Sequence, residues 1–593
     1  MSAGPLFGVT RSLGGRAWGL RPADDRAAGE IARVTGVNDA LARLLAARGL
    51  TAESAPDFLS PRLRDSFPDP SSFKGMDDAA RLIWDAVEKG VRIALFADYD
   101  VDGATSAAQL SRWLSAVSEA PLIYVPDRIE EGYGPSAAAF ESLKARGAGL
   151  VITLDCGAAA VGPLASARAM GLPVAVIDHH LMDGPAPEAE ALVNPNQPGD
   201  ESGCGHLAAA GVVFVLLAAL NREGRARGAF RDRPEPDLLA LADLAALGTV
   251  CDVVPLTGFN RALTAQGLRV MSAWTRPGLA ALAEIAGVTG PASVYHAGFI
   301  IGPRINAGGR VGRSDLGARL LTSDDMAEAR SLAAELDQHN AARRAIEADV
   351  LDEAMAQLER AGVSEDAPVL IAAGEHWHPG VIGIAAGRVK ERFNRPAIVI
   401  GIDPDTGLAK GSGRSCTGVN LGAAVARARE TGLLIAGGGH AMACGLTVEA
   451  GRIDALRDFL TEALADEWVR AEAARTLELD AVAHPASVSF EFCEALKAAA
   501  PFGQGNPEPR FAFADLRRSF AKRVGSDHVR VSFEAAGGAR LDAIAFRCAD
   551  APMGQALLAP GEARFHAAGK LRAEDNRFGK RAELHLEDLA PAP

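Results

Sequence analysis

The residues best able to do chemistry in this chain are carboxylates and histidines crowded into a few short stretches. Asp98, Asp100 and Asp102 stand at alternate positions in ADYDVDGATS, after an apolar run and before Gly103 and a helix-forming segment. Carboxylates this close raise one another's pKa unless a cation neutralises them. Hard divalent ions take oxygen ligands, so a metal site is the simplest reading. A calcium-type turn or an acidic helix N-cap is the bland alternative. Asp155 follows in VITLDCG, where on its own it could simply cap the next helix. Asp178, His179 and His180 close VAVIDHH. One buried histidine is commonly a core residue. Two of them after an aspartate, at the tip of an apolar run, suit one metal ligand and one substrate contact, with Asp178 orienting an imidazole. Asp252, in LGTVCDVVPL, lies in an apolar stretch where an unpaired carboxylate is costly. All these groups are expected at strand ends.

The elements that must position them can be read from the pattern around them. From about Met76 to Leu256 the runs VRIALFADYD, LIYVPDR, GLVITLDCG and LPVAVIDHH alternate with Ala-rich helical segments. That predicts an α/β domain over 76–256, a parallel sheet with helices on both faces. Ligands of such sheets bind beyond the carboxyl ends of the strands, where these acidic tips lie. Residues 1–75 read as an N-terminal extension without chemistry. Residues 257–360 read as a connector that ends in a long, highly charged helix. A second α/β lobe is expected over 361–466. Over 477–593, short strands separated by turn residues predict a small antiparallel barrel of OB type. Its segment from Arg517 to Arg581 is basic, with Lys522, Arg530, Arg540, Arg547 and Arg577 among others. Such asymmetry suits a nucleic-acid surface, with a solvated barrel face as the alternative.

Bulk properties set the limits. A chain of 593 residues is too long for one core, so several domains are expected. The net charge of −14 argues against a nucleic-acid partner only weakly, because carboxylates gathered around cations inflate it. No apolar run reaches the roughly 18 to 20 residues of a membrane span. The first residues lack the apolar core of a secretory signal, so a cytoplasmic location is expected. Seven cysteines without a CxxC pair argue against a disulfide scaffold and a thiolate zinc site.

DYDVDG, LDCG, DHH and TVCDVVPL, in that order, resemble the DHH phosphoesterase superfamily. GPRINAGGR, WHPGVIGIAAGR, SGRS, GGGHAMACG and PFGQGNPEPRF narrow the resemblance to its bacterial single-strand-specific 5′→3′ exonucleases. It runs from about residue 70 to the C-terminus. It implies a DHH domain, a DHHA1-type second lobe and an OB barrel, acting on single-stranded DNA in repair and recombination. Asp98, Asp100, Asp102, Asp155, His179 and Asp252 would hold two divalent cations, Mn2+ or Mg2+, with Asp155 as the bridging ligand. His180 would contact the scissile phosphate. Many members carry a histidine where Phe96 stands, so Asp98 takes up that role or the site has one ligand fewer. Arg304, with Asn306, would hold the 5′ end, and Arg310 has the same phosphate-matching guanidinium fork. His378, Ser412, Arg414, Gly438, Gly439 and His440 would line the path of the nucleotide backbone. Phe502 and Phe511 offer stacking surfaces or, more simply, core. The strand would thread between the two lobes, with the barrel holding its downstream part. Single-strand-binding protein and a RecQ-like helicase are implied as partners, and a monomer is expected. Two rivals remain: a relative that cleaves short oligonucleotides, cyclic dinucleotides or pyrophosphate, and a scaffold that has lost catalysis.

Overall fold

The computed structural model describes residues 4–128, 130–182, 184–362, 367–576 and 579–592. Arg577 of the basic segment lies outside them. The chain forms two compact units, Phe67–Ala473 and Met1–Ser66 with Ala474–Pro593.

The first unit opens on a parallel sheet. Its strands are β1 (Ile93–Ala97), β2 (Leu122–Tyr124), β3 (Leu150–Leu154), β4 (Val174–Ile177) and β5 (Ala191–Val193), in the order β2-β1-β3-β4-β5. β1 and β3 are buried at every residue, as strands covered on both faces must be. Helix α1 (Val101–Val117) starts directly after β1. It is crossed by α2 (Ala209–Arg227) and α3 (Ala242–Cys251). α3 is buried from Ala242 to Val250. Asp252 is therefore the C-cap of a buried helix and not a strand end. An apolar run without alternation fits either element, and burial on all sides removed the helical signature.

A π-helical segment, His296–Ile301, leads into α4 (Gly302–Val311), and α5 (Met326–Ala361) is the expected long helix. The second sheet contains β6 (Leu370–Glu375), β7 (Ala397–Ile402), β8 (Leu408–Arg414), β9 (Ala436–His440) and β10 (Ala443–Glu449). Its order is β9-β10-β8-β7-β6, and only β6 and β7 are parallel. α6 (Ile382–Phe393) packs on β7 and β8. The glycine triplet is thus an edge strand, with Gly438 opposite Gly445.

In the second unit, strands Arg510–Val524, His528–Glu534, Arg540–Ala545, Gly579–Pro591 and Arg564–Asn576 follow one another, and the first also pairs with the last, closing a barrel. The N-terminal residues fold onto it. Ala17–Leu20 pairs in parallel with Thr476–Leu479, and Ile31, Leu41, Leu44 and Leu45 enter the barrel core. Phe511 belongs to that core and half-buried Phe502 packs against it, so neither is a free stacking surface.

Candidate active site

Three turns at the carboxyl end of the first sheet, with the end of α3, bring the expected groups together. Asp100 caps α1, its Oδ1 accepting from the N–H of Asp102 (2.9 Å) and Gly103 (3.1 Å). Glycine is required at 103, because a Cβ there would lie 2.4 Å from the Asp98 carbonyl oxygen. Asp102 accepts from Ala209 N–H (2.7 Å) and Ala210 N–H (2.8 Å) at the start of α2. A Cβ on Gly248 would stand 2.7 Å from Asp102 Oδ1, so this glycine lets α3 close in and carry Asp252 to the cluster.

Three donor sets result, each with its ligand atoms within 4.8 Å of one another: Asp98, Asp100 and Asp155; Asp102, His179 and Asp252; and Asp155, His179 and His180. His179 Nε2 lies 3.3 Å from Asp155 Oδ1 and 3.8 Å from both Asp102 Oδ2 and Asp252 Oδ2. Asp98, Asp102 and Asp155 are buried, and Oδ1 of Asp98 and of Asp155 accepts no hydrogen bond. Among the described residues, no lysine or arginine pairs with any of these carboxylates. Burial, reinforced by Asp100, pushes the carboxyls of Asp98 and Asp252 up to about 7. Burial and neighbouring aspartates also raise Asp102 and Asp155 well above the usual carboxylate range. Burial, with the charge of His180, takes His179 down to about 4, leaving a neutral imidazole with a lone pair to donate. Hard oxygen donors, two of them orphaned, plus a neutral imidazole fit divalent cations.

Asp178 behaves differently. Burial alone would raise it, but His180 and the N–H groups of Ala158 and His180 bring it down to about 2. Its Oδ1 lies 2.8 Å from His180 Nδ1, and although burial opposes the charge, this partner raises the imidazole pKa. His180 thereby stands half-exposed at the mouth of the cluster, its ring oriented by Asp178.

Phe96 is fully buried in β1, stacked on Tyr124 with centroids 5.4 Å apart, and takes no part in the site.

Beside the carboxylates lies a cleft of about 420 Å³ whose lining includes Arg128, Arg310, Lys410, Ser412 and Arg414. Arg310, on α4, donates to the Gly380 carbonyl (3.0 Å), and burial followed by Arg128 and Arg343 lowers it to about 10. Burial likewise lowers Arg414, which donates to Ser412 Oγ (3.1 Å). Among the described residues these clustered cations make no ion pair, just as the clustered carboxylates make none with a lysine or arginine. Tyr99 joins the two clusters, sitting between Asp98 and Asp100 with Arg128 5.2 Å over its ring. His378 Nδ1 accepts from the N–H of Gly380 (3.0 Å), which with Pro379 lines the cleft. At Gly438 and Gly445 a Cβ would meet nothing within 4 Å, so this part of the β9–β10 pair carries no side chain. His440 is exposed at the end of the same edge strand.

Two expected residues are placed otherwise. Arg304 donates to Asp337 Oδ1 (2.9 Å) and to the Ile300 carbonyl (2.8 Å), so its guanidinium is occupied inside the helical connector. Asn306 Oδ1 accepts from Val101 N–H (3.1 Å), bracing the Asp100–Asp102 turn rather than a 5′ end. The sequence reading missed Arg128 and Tyr133, both in the loop after β2. Tyr133 donates to the Asp155 carbonyl (3.2 Å) and lies 3.4 Å from His180 ring nitrogens. The available signal was position, since Arg128 follows a strand tip as the aspartates do.

Comparison with known proteins meets this geometry segment by segment. Residues 92–249 match the DHH family N-terminal domain, 366–466 the DHHA1 domain and 479–588 the RecJ OB domain. The chain is 35% identical over 577 residues to the single-stranded-DNA-specific exonuclease RecJ of Bacillus subtilis, covering 97% of this chain and 70% of that protein. The chain belongs to the RecJ family. The RecJ of Salmonella typhimurium is 40% identical over 520 residues, 85% of this chain and 88% of its own. The crystal structure of Thermus thermophilus RecJ in complex with Mn2+ superposes with a TM-score of 0.79 at 29% identity, over 97% of this chain and 79% of that one. A Mg2+ complex of the same RecJ gives 0.73 at 28% identity, over 97% and 78%.

Proposed function

We propose that this chain is a divalent-cation-dependent exonuclease that degrades single-stranded DNA from its 5′ end to mononucleotides. The observation that carries the reading is the pairing of an uncompensated carboxylate cluster with an uncompensated arginine cleft across Tyr99. Asp98, Asp100 and Asp155 would hold one Mn2+ or Mg2+, and Asp102, His179 and Asp252 the other, with Asp155 between them. When bound, two such cations activate a water and stabilise the leaving oxygen of an in-line displacement. His180, whose pKa Asp178 raises, would donate to the scissile phosphate. Arg128, Arg310, Ser412 and Arg414 would receive the terminal phosphate of the strand, fixing the register at which one nucleotide is removed. His378 and the bare backbone of Gly438 and Gly439, with His440, would border the strand's path. The barrel would add affinity for the downstream strand. Single-strand-binding protein and a RecQ-like helicase are the partners this role calls for, with the chain a monomer in the cytoplasm.

The test is turnover of 5′- and 3′-labelled single strands and of a duplex, with Mn2+ titrated. Mononucleotide released first from the 5′ label, on single strands alone and lost in Asp155→Asn, is the expected result. Cleavage of a dinucleotide in preference to the long strand would favour the short-substrate rival.

A further inference from the structure

Two aromatic side chains of the first unit stand in solvent outside the centre described above. Tyr295 and Phe299 are 60% and 68% exposed, and their rings stack with centroids 5.6 Å and planes 19° apart. Tyr295 precedes and Phe299 lies within the π-helical turn at His296–Ile301, which is buried through Ala297 and Ile301. π-Helical turns are rare and concentrate at functional sites. Their location is specific. Cys251 Sγ donates to the Ala297 carbonyl (3.5 Å), and a Cβ on Gly298 would touch Val250 at 3.4 Å. The next residue after Cys251 is Asp252 of the carboxylate cluster, and the turn continues into α4, which carries Asn306 and Arg310. The exposed pair is thus anchored to the helix end that supplies one side of the site and to the helix that supplies the other.

We propose that Tyr295 and Phe299 form a platform on which unpaired nucleobases of the substrate strand stack as it passes the metal centre; this rests on the nuclease reading above. Every base has a π-face, so such a contact is strong and indifferent to sequence. Bases within a duplex already have both faces stacked and reach a side chain only by being unstacked at a cost. The pair therefore favours single strands without reading them. Two rings fall far short of the area, about 800 Å² per partner, that a stable protein interface buries.

The experiment compares binding of two labelled 20-mers to the full-length protein in EDTA, followed by fluorescence anisotropy: oligo(dT), and an abasic strand with the same phosphates. The wild type is expected to prefer oligo(dT) by roughly tenfold or more. The Tyr295→Ala/Phe299→Ala variant should lose that preference while holding the abasic strand as before, and Tyr295→Phe/Phe299→Trp should retain it. A double-alanine variant that still prefers oligo(dT) as the wild type does overturns the platform. So does equal weakening on both strands. The nuclease reading stands or falls separately, on metal-dependent turnover in Asp155→Asn.

Discussion

Asp155 and Asp588 are both removed from solvent, at 2% and 0% exposure, yet their surroundings are opposite. Asp588, on the barrel strand Gly579–Pro591, accepts from Ser12 Oγ (2.7 Å), Gly14 N–H (3.0 Å), Trp18 Nε1 (3.1 Å) and Leu589 N–H (2.9 Å). Arg16 completes its shell at 3.2 Å. Asp155 Oδ1 accepts from nothing; aspartates crowd it, and the imidazoles of His179 and His180 stand 3.3 and 3.9 Å away. Buried polar groups in proteins are nearly always bonded, and an orphaned carboxylate oxygen ringed by further carboxylates is one that a cation would satisfy. The contrast extends across the two units. In the barrel, Arg517 meets Glu534, Arg523 meets Asp550, Arg530 meets Glu583, Arg564 meets Asp515 and Arg572 meets Glu508. A basic composition there does not make a bare basic face. What a fold leaves for a ligand is the charge it fails to neutralise itself: in the first unit that charge is gathered at the site, whereas the barrel keeps only scattered exposed cations such as Lys522, Arg540 and Arg547 beside its pairs.

Asparagine at each of the two positions gives the widest separation. Asp155→Asn should lower turnover on single strands by a factor on the order of 10³ or more. It should leave the metal-free melting temperature unchanged or raised, because the amide cannot ionise among the neighbouring aspartates. Asp588→Asn should do the reverse: near-normal kcat at low temperature, and a loss of roughly 3–5 kcal/mol in unfolding of the barrel unit, read by thermal or urea denaturation. If Asp155→Asn destabilises the metal-free protein as much as Asp588→Asn does, the contrast is wrong.

Proton linkage sharpens the same point. In the folded, cation-free protein Asp98 and Asp252 sit at about 7, above the 3.8 of an unperturbed aspartate. A raised carboxyl makes the folded state the better proton binder. Its contribution is fully present below about pH 4 and lost as pH rises through about 7. Cations take the place of those protons, so the increase in melting temperature on adding Mn2+ should grow from about pH 5.5 to about pH 8. Asp178, at about 2, contributes the other way, and only below about pH 4 should its share disappear. A cation effect that is flat with pH would mean these carboxylates are not the ligands.

A smaller effect is expected in the arginine cleft. Arg310→Ala should raise KM for single strands by roughly 10- to 100-fold with a lesser change in kcat, and Arg310→Lys should recover only part of it, because the bidentate fork is lost. Arg304→Ala should leave KM nearly untouched, since Asp337 already holds that guanidinium. Steady-state kinetics on one 5′-phosphorylated strand distinguishes the two.

The order of the domains and the cluster at Asp98, Asp100, Asp155 and His179 were legible because parallel strands write themselves as apolar runs with polar tips. Asp252 was misplaced on a strand for the same reason, since a helix buried on every side has no periodicity to show. Arg304 and Arg310 lie in one motif and look equivalent in sequence. Only the position of Asp337, on the long helix α5, separates them. The N-terminal residues read as an appendage because their partner strand, Thr476–Leu479, lies far along the chain. Non-local pairing leaves no local trace.

The finest test concerns Asn306, whose expected role and observed place differ. Its Oδ1 receives the Val101 N–H at the first residue of α1, within the turn that presents Asp100 and Asp102. Removing that acceptor in Asn306→Ala forfeits one partly buried hydrogen bond, about 1 kcal/mol. The loss falls on the geometry of the carboxylates and not on the strand. The concentration of Mn2+ giving half-maximal activity should therefore rise several-fold while KM for DNA stays within about twofold. A residue gripping the 5′ end would give the opposite split, with KM raised and the metal titration unmoved. Because Asn306 and Arg310 share α4, the two variants together show whether one helix serves both clusters: Asn306→Ala should move the cation curve alone, and Arg310→Ala the substrate curve alone.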